Sequence, residues 1–184
     1  MGSSQTYDIK KILPKFPSEF QTSSSKISKD EVFSSSDIIC LYFSAHWCGP
    51  CRKFTPSLSE FYKEINSETK QIEIIFCSSD QDQNQFNEYF KTMPWIAIPF
   101  DNEAKDEIAE ELGVSSIPTL IVFDKDGNVL DNDGRTTVMN MGLAAIKTWK
   151  EKMNENKEKM NENKEKMNEN KEKMDENKEK MDEK

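Results

Sequence analysis

The chain has 184 residues and carries 25 Lys and Arg against 34 Asp and Glu, a formal charge of -9. Acidity without a basic stripe argues against nucleic-acid binding and predicts repulsion from anionic membrane surfaces. No apolar run approaches the roughly 18 residues of a membrane-spanning helix. Met1 to Lys15 holds no apolar stretch of the kind a secretory leader needs, so a reducing, cytoplasmic setting is expected for the four cysteines.

Three parts are expected in chain order. Residues 1–30 form an irregular N-terminal segment, 31–150 one domain, and 151–184 a low-complexity tail. A core of about 150 residues needs no disulfide staples. The Ser-rich stretch 8–36 shows no sustained period and is read as chain wrapping the domain, with Lys11-Ile12-Leu13-Pro14 its one recognisable piece. Ile38 to Phe43 is a continuous apolar run, the mark of a central strand buried on both faces. Phe54, Leu58, Phe61, Tyr62 and Ile65 recur at helical spacing, with Pro56 expected to kink that helix. Ile72 to Cys77 is a second buried strand, and Phe86, Tyr89, Phe90 and Met93 mark a helix ending before Pro94. Trp95 to Phe100 is short and extended, and Ile108, Ala109 and Leu112 lie on a helix stopped by Gly113. Leu120 to Phe123 and Val129-Leu130 form a hairpin around Asp126-Gly127. Strands alternating with helices and closing on a hairpin predict an α/β fold of three layers around a mixed sheet.

The tail repeats Lys-Met-Asn-Glu-Asn-Lys-Glu, with Met at 153, 160, 167, 174 and 181. The second seam position of each heptad would hold Asn156, Asn163, Asn170 or Asn177, a poor coiled-coil interface. Glu155, Glu162, Glu169 and Glu176 each precede a lysine by four residues in the favourable order. A solvated, fraying helix running on from Leu143 to Trp149 is expected, with a weak parallel dimer or disorder as alternatives.

Chemistry concentrates at Trp47-Cys48-Gly49-Pro50-Cys51, between the first strand and the first long helix. Two thiols three residues apart at a helix start share a face and can close a disulfide ring. Cys48, at the helix N-terminus, gains thiolate character from unpaired backbone N–H groups. Pro50 costs nothing in the first turn. A four-thiolate zinc site uses the same spacing but needs a second close pair or histidines. Cys40 and Cys77 lie far apart in apolar runs, and His46 is the only histidine. The strand–Cys-x-x-Cys–helix setting, followed by Ile117-Pro118-Thr119 before another strand, favours dithiol redox chemistry.

These residues resemble the thioredoxin superfamily. Phe43 to Cys48, Cys51-Arg52-Lys53-Phe54-Thr55-Pro56, Phe61-Tyr62, Met93-Pro94-Trp95, Ile98-Pro99-Phe100 and Gly134-Arg135 are similar to tryparedoxins and nucleoredoxins over about residues 7–140. The resemblance implies a protein-disulfide reductase without a cofactor, with Cys48 and Cys51 catalytic and Trp47, Gly49, Pro50, Tyr42, Ile117 and Pro118 supporting them. It also implies that Pro118 is cis and lies against the sulfurs. Partners implied are protein disulfides, including those of a peroxiredoxin, and an electron donor that is a dithiol or a reductase. The rival reading is a nucleoredoxin-like redox-sensitive binding protein.

Two departures stand out. Those groups usually carry Cys-Pro-Pro-Cys, whereas this chain has the thioredoxin pair Gly49-Pro50. Thioredoxins usually place a buried aspartate six residues before the first cysteine, and here that residue is Tyr42. A proton acceptor for Cys51 must then come from elsewhere or from water.

Other residues have plainer readings. Cys40 and Cys77 are expected as small buried hydrophobes. His46 is expected at the surface beside the motif, Trp47 as an exposed lip, and Asp80 either facing the sulfurs or capping the next helix. The Asp-rich turns 124–128 and 131–134 lack the glutamate and spacing of a calcium loop. Met1-Gly2-Ser3-Ser4-Gln5-Thr6 matches the myristoylation pattern, and only acylation of Gly2 would bring the chain to a membrane, marginally.

Overall fold

A computed structural model describes residues 7–182, with side chains described as far as residue 171. Gly2, the expected acyl site, lies outside the described residues. In chain order the elements are α1 (Ile9–Ile12), a 3-10 turn, β1 (Glu19–Gln21), β2 (Lys26–Ser28), α2 (Lys29–Ser35), β3 (Ile38–Ser44), α3 (Gly49–Ile65), β4 (Ile72–Ser78), α4 (Gln83–Phe90) and β5 (Ile96–Ala97). They continue with α5 (Ala104–Glu111), β6 (Thr119–Asp124), β7 (Val129–Asp131), α6 (Gly134–Met141), a second 3-10 turn and α7 (Ala145–Asp182).

The strands form one mixed sheet in the order β2-β1-β5-β4-β3-β6-β7. At its centre β3 runs parallel to β4 and antiparallel to β6. With strands on both sides and cover on both faces, every residue of β3 is buried, which is why its sequence is an unbroken apolar run. Alternation still divides its side chains. Ile39, Leu41 and Phe43 join Ile75, Ile121, Phe123 and Ile108 in one core. Tyr42 turns to the other face and meets Phe54 of α3 and Trp95 edge-on, beside the stacked rings of Phe76, Phe86 and Phe90.

Among the described residues, 8–36 is not the irregular wrapping expected of it. β1 and β2 pair as a hairpin, Phe20 opposite Ile27, and β1 pairs with β5, so the hairpin extends the sheet. Ile9, Ile12, Phe16 and Phe20 are buried in the same core as Ile39 and Leu41. Three-residue strands are too short for alternation to stand out, and the serines that suggested loop have particular roles. Thr22 Oγ1 accepts from Ser25 N at 2.8 Å to close the turn, and Ser28 caps α2 by accepting from Glu31 N at 3.2 Å.

α3 continues through Pro56 without interruption. In the β6–β7 turn Gly127 sits at φ 80°, and Asp124 Oδ1 accepts from Asp126 N at 3.0 Å and Asn128 N at 2.8 Å, so turn chemistry accounts for these acids. α6 was not anticipated. Its first residue is glycine for a steric reason: a Cβ on Gly134 would stand 2.8 Å from Val122 Cγ2.

The chain divides into compact units at residues 1–149 and 150–184. In the first, Trp149 is buried, its ring edge-on to Phe61 and its Nε1 donating to Asp131 Oδ2 at 2.9 Å. The second is helical throughout its described residues, with Met160 and Met167 exposed. No described helix is long and apolar enough to cross a membrane.

Candidate active site

At the carboxyl end of β3 the chain leaves Ser44, turns through Ala45, His46 and Trp47, and enters α3 at Cys48. Cys48 is the N-cap, with extended backbone, and its Sγ accepts from Cys51 N at 3.3 Å. The sulfur thus takes the place of the hydroxyl or carboxylate that usually caps a helix and satisfies one of its unpaired N–H groups. Its thiol form donates toward Ile117 O at 3.9 Å. Cys48 retains a little exposure, while Cys51, one turn inward, has none. Burial pushes the Cys51 thiol up to about 11, helped by its hydrogen bond to Cys48 and opposed by donation from Ser44 and from the Ala45 backbone. Below that range it stays protonated.

Ile117-Pro118 is a cis peptide, with Pro118 buried and Ile117 partly buried beside Cys48. Trp47 is half-exposed, and its Nε1 donates to Ser79 O at 2.9 Å, giving a rigid apolar lip. Pro50 is exposed in the first turn of α3. Gly49 is another matter. A Cβ there would meet nothing within 4 Å, so the supporting role assigned to Gly49 has no steric basis.

Asp80 neither caps the following helix nor bonds the sulfurs. The cap of α4 is Asp82, which accepts from Gln85 N at 2.9 Å. Asp80 Oδ1 accepts from His46 N at 2.6 Å and its Oδ2 from Ser78 Oγ at 2.8 Å, while Ser79 N donates to Ser44 O. Together these bonds clamp the turn that leads into Cys48. His46 is partly buried, its ring against Tyr89 at 5.9 Å and its carbonyl accepting from Arg52 Nη1 at 2.7 Å.

Tyr42, at the position where thioredoxins usually carry an aspartate, is buried and bonded within a cluster of hydroxyls. Its Oη lies 2.8 Å from Thr55 Oγ1 and 3.1 Å from Ser44 Oγ, and Tyr89 Oη lies 2.9 Å from Ser44 Oγ. Sequence reasoning missed Ser44, Thr55 and Tyr89 as site residues. The one available signal was polar or amphipathic residues standing in apolar runs: Ser44 ending β3 and Tyr89 on the buried stripe of α4.

Cys40 and Cys77 are fully buried, and burial drives both thiols well above their ordinary range, leaving them inert. Among the described residues no group of three or more His, Cys, Asp or Glu is placed to hold a metal ion.

A family described as Thioredoxin-like matches residues 36–129. Tryparedoxin of Trypanosoma brucei brucei is 44% identical over 103 residues, 55% of this chain and 71% of that one. Probable nucleoredoxin 1 of Arabidopsis thaliana is 44% identical over 118 residues, 64% of this chain but only 20% of that longer protein. The solved tryparedoxin from Trypanosoma brucei superposes with a TM-score of 0.67 at 34% identity, covering 78% of this chain and 99% of that one. With a buried dithiol at the start of α3, a proline loop against it and these relatives, the chain belongs to the thioredoxin superfamily, in its tryparedoxin and nucleoredoxin branch.

Proposed function

We propose that the chain is a thiol–disulfide oxidoreductase that reduces disulfides through Cys48 and Cys51. The observation that carries this reading is the asymmetry of the pair: Cys48 caps α3 and accepts from Cys51 N at 3.3 Å, while Cys51 is fully buried behind it. The Cys48 thiolate attacks one sulfur of a partner disulfide, and the partner's other sulfur leaves as a thiolate that takes a proton from solvent. Cys51 then attacks Cys48 Sγ, breaking the mixed disulfide, releasing the second thiol and leaving Cys48–Cys51 oxidised. Two electrons pass from the cysteines to the partner. A low-molecular-weight dithiol or a reductase restores the pair.

Relatives in this branch act on protein or thiol disulfides. The partner we infer is a protein disulfide of the peroxiredoxin type, in a reducing cytoplasmic compartment. The half-exposed Trp47, next in sequence to Cys48, supports docking of an extended chain there.

Cys51→Ser should accumulate mixed disulfides, Cys48→Ser should abolish both trapping and reduction, and the unaltered chain should reduce insulin through many turnovers. Full reductase activity in Cys48→Ser would sink the mechanism. Reduction only in stoichiometric amounts would favour the redox-sensitive binding role.

A further inference from the structure

We propose that the four buried hydroxyls of Tyr42, Ser44, Thr55 and Tyr89 form a reversible proton relay for Cys51, filling the role of a buried carboxylate in the resolving step. The role rests on the two-cysteine exchange above and deepens it.

The four oxygens close a ring. Ser44 contacts Tyr42 at 3.1 Å, Tyr42 contacts Thr55 at 2.8 Å, Thr55 contacts Tyr89 at 2.5 Å, and Tyr89 returns to Ser44 at 2.9 Å. A further claim falls on the same protons, since Thr55 Oγ1 donates to Cys51 O at 3.0 Å, and Ser44 is the hydroxyl of the ring that acts to lower the Cys51 thiol against its burial. Four hydroxyls carry four protons, and the four edges together with the Thr55 bond to Cys51 O cannot all be supplied at once. The ring therefore has more than one arrangement of nearly equal satisfaction. With Cys51 as a thiol, its proton points to Ser44 Oγ and Ser44 donates onward. With Cys51 as a thiolate, Ser44 turns its proton to the sulfur and one edge of the ring gives up its donor. A buried carboxylate at position 42 would instead add charge beside the nascent thiolate.

The relay has an outlet. Thr55 and Tyr89 also line a groove of about 500 Å³ with His46, Arg52, Glu60 and Glu88. As Cys51 attacks, its proton moves to Ser44 while a ring proton moves through Tyr89 or Thr55 to water in the groove. The S–S bond between Cys48 and the partner breaks, and the departing partner thiolate takes a proton from solvent. The titratable and charged groups facing Cys51 and the ring are Cys48 on the same helix, Tyr42 from β3 and Tyr89 from α4. Beyond them stand Asp80 from the β4–α4 loop, bonded to the His46 backbone, and the His46 ring and Arg52 guanidinium.

The test uses the full reduced chain and Ellman's reagent in stopped flow. Cys48 attack releases the first thionitrobenzoate, and Cys51 resolution releases the second. Ser44→Ala and Tyr89→Phe should slow the second phase about tenfold at pH 7 and move its pH profile up by about one unit, leaving the first phase within about twofold. Ser44→Thr, which keeps the hydroxyl, should restore the profile. An unchanged second phase in both variants, or equal slowing of both phases, would overturn the relay. Loss of the first phase in the unaltered chain would overturn the two-cysteine exchange itself, and this role with it.

Discussion

Replacing Phe20 by alanine tests whether the N-terminal hairpin belongs to the fold or lies on it. Phe20 is fully buried, packs edge-on against Phe16 at 5.9 Å and shares a core with Ile39, Leu41, Ile96 and Ile98. Removing such a ring from a packed site costs about 3–5 kcal/mol, from lost transfer energy plus the cavity left behind. That is a large share of the roughly 5–15 kcal/mol that holds a domain together. At about 2–4 °C per kcal/mol for a chain of this size, the midpoint should fall by roughly 6–20 °C. Urea unfolding followed by tryptophan fluorescence measures the loss. Glu19→Ala is the control, because Glu19 is exposed and its ion pair with Lys26 at 3.4 Å is solvated, so a change within about 0.5 kcal/mol is expected. A Phe20→Ala loss under about 1 kcal/mol would refute the reasoning and return the segment to a surface wrapping.

Asp80→Ala leaves the His46 N–H and Ser78 hydroxyl without their acceptor, at a cost of about 1–3 kcal/mol, and should slow capture of a disulfide by Cys48; unchanged capture kinetics would remove the clamp role. Iodoacetamide at neutral pH should label Cys48 and spare Cys51 until the pH nears about 11, as peptide mapping of the reduced protein would read out. The same shift fixes a stability slope. Folded Cys51 holds its proton up to about 11 and the unfolded thiol only to about 9, so the folded state binds more protons in that window and stability should fall as pH rises from 9 to 11, more shallowly in Cys51→Ala. Deleting residues 157–184 should reduce the helical circular-dichroism signal while leaving the thermal midpoint nearly unchanged, since Met160 and Met167 are exposed; a large drop in midpoint would show that this part of the tail stabilises the domain.

Much of this architecture follows from the sequence alone, because periodicity and helix-terminus chemistry are local. The unbroken run Ile38 to Phe43 identifies the central strand, the helical spacing of apolar residues over 54–65 identifies α3, and Asp126-Gly127 identifies the hairpin turn. Cys48 and Cys51 stand out because three-residue spacing at a helix start is enough to bring two sulfurs onto one face. The tertiary structure alone decided how the polar atoms pair. Tyr42, Ser44, Thr55 and Tyr89 lie up to 47 residues apart and reach one another only because β3, α3 and α4 converge behind the cysteines. Along the chain Tyr89 reads as one more apolar residue on a buried stripe, since periodicity registers which face a side chain occupies and not where its hydroxyl points. Phe20 is a similar case. Strands of three residues carry too few alternations to declare themselves, and only pairing with β5 and burial against Ile39 and Leu41 make the hairpin part of the sheet.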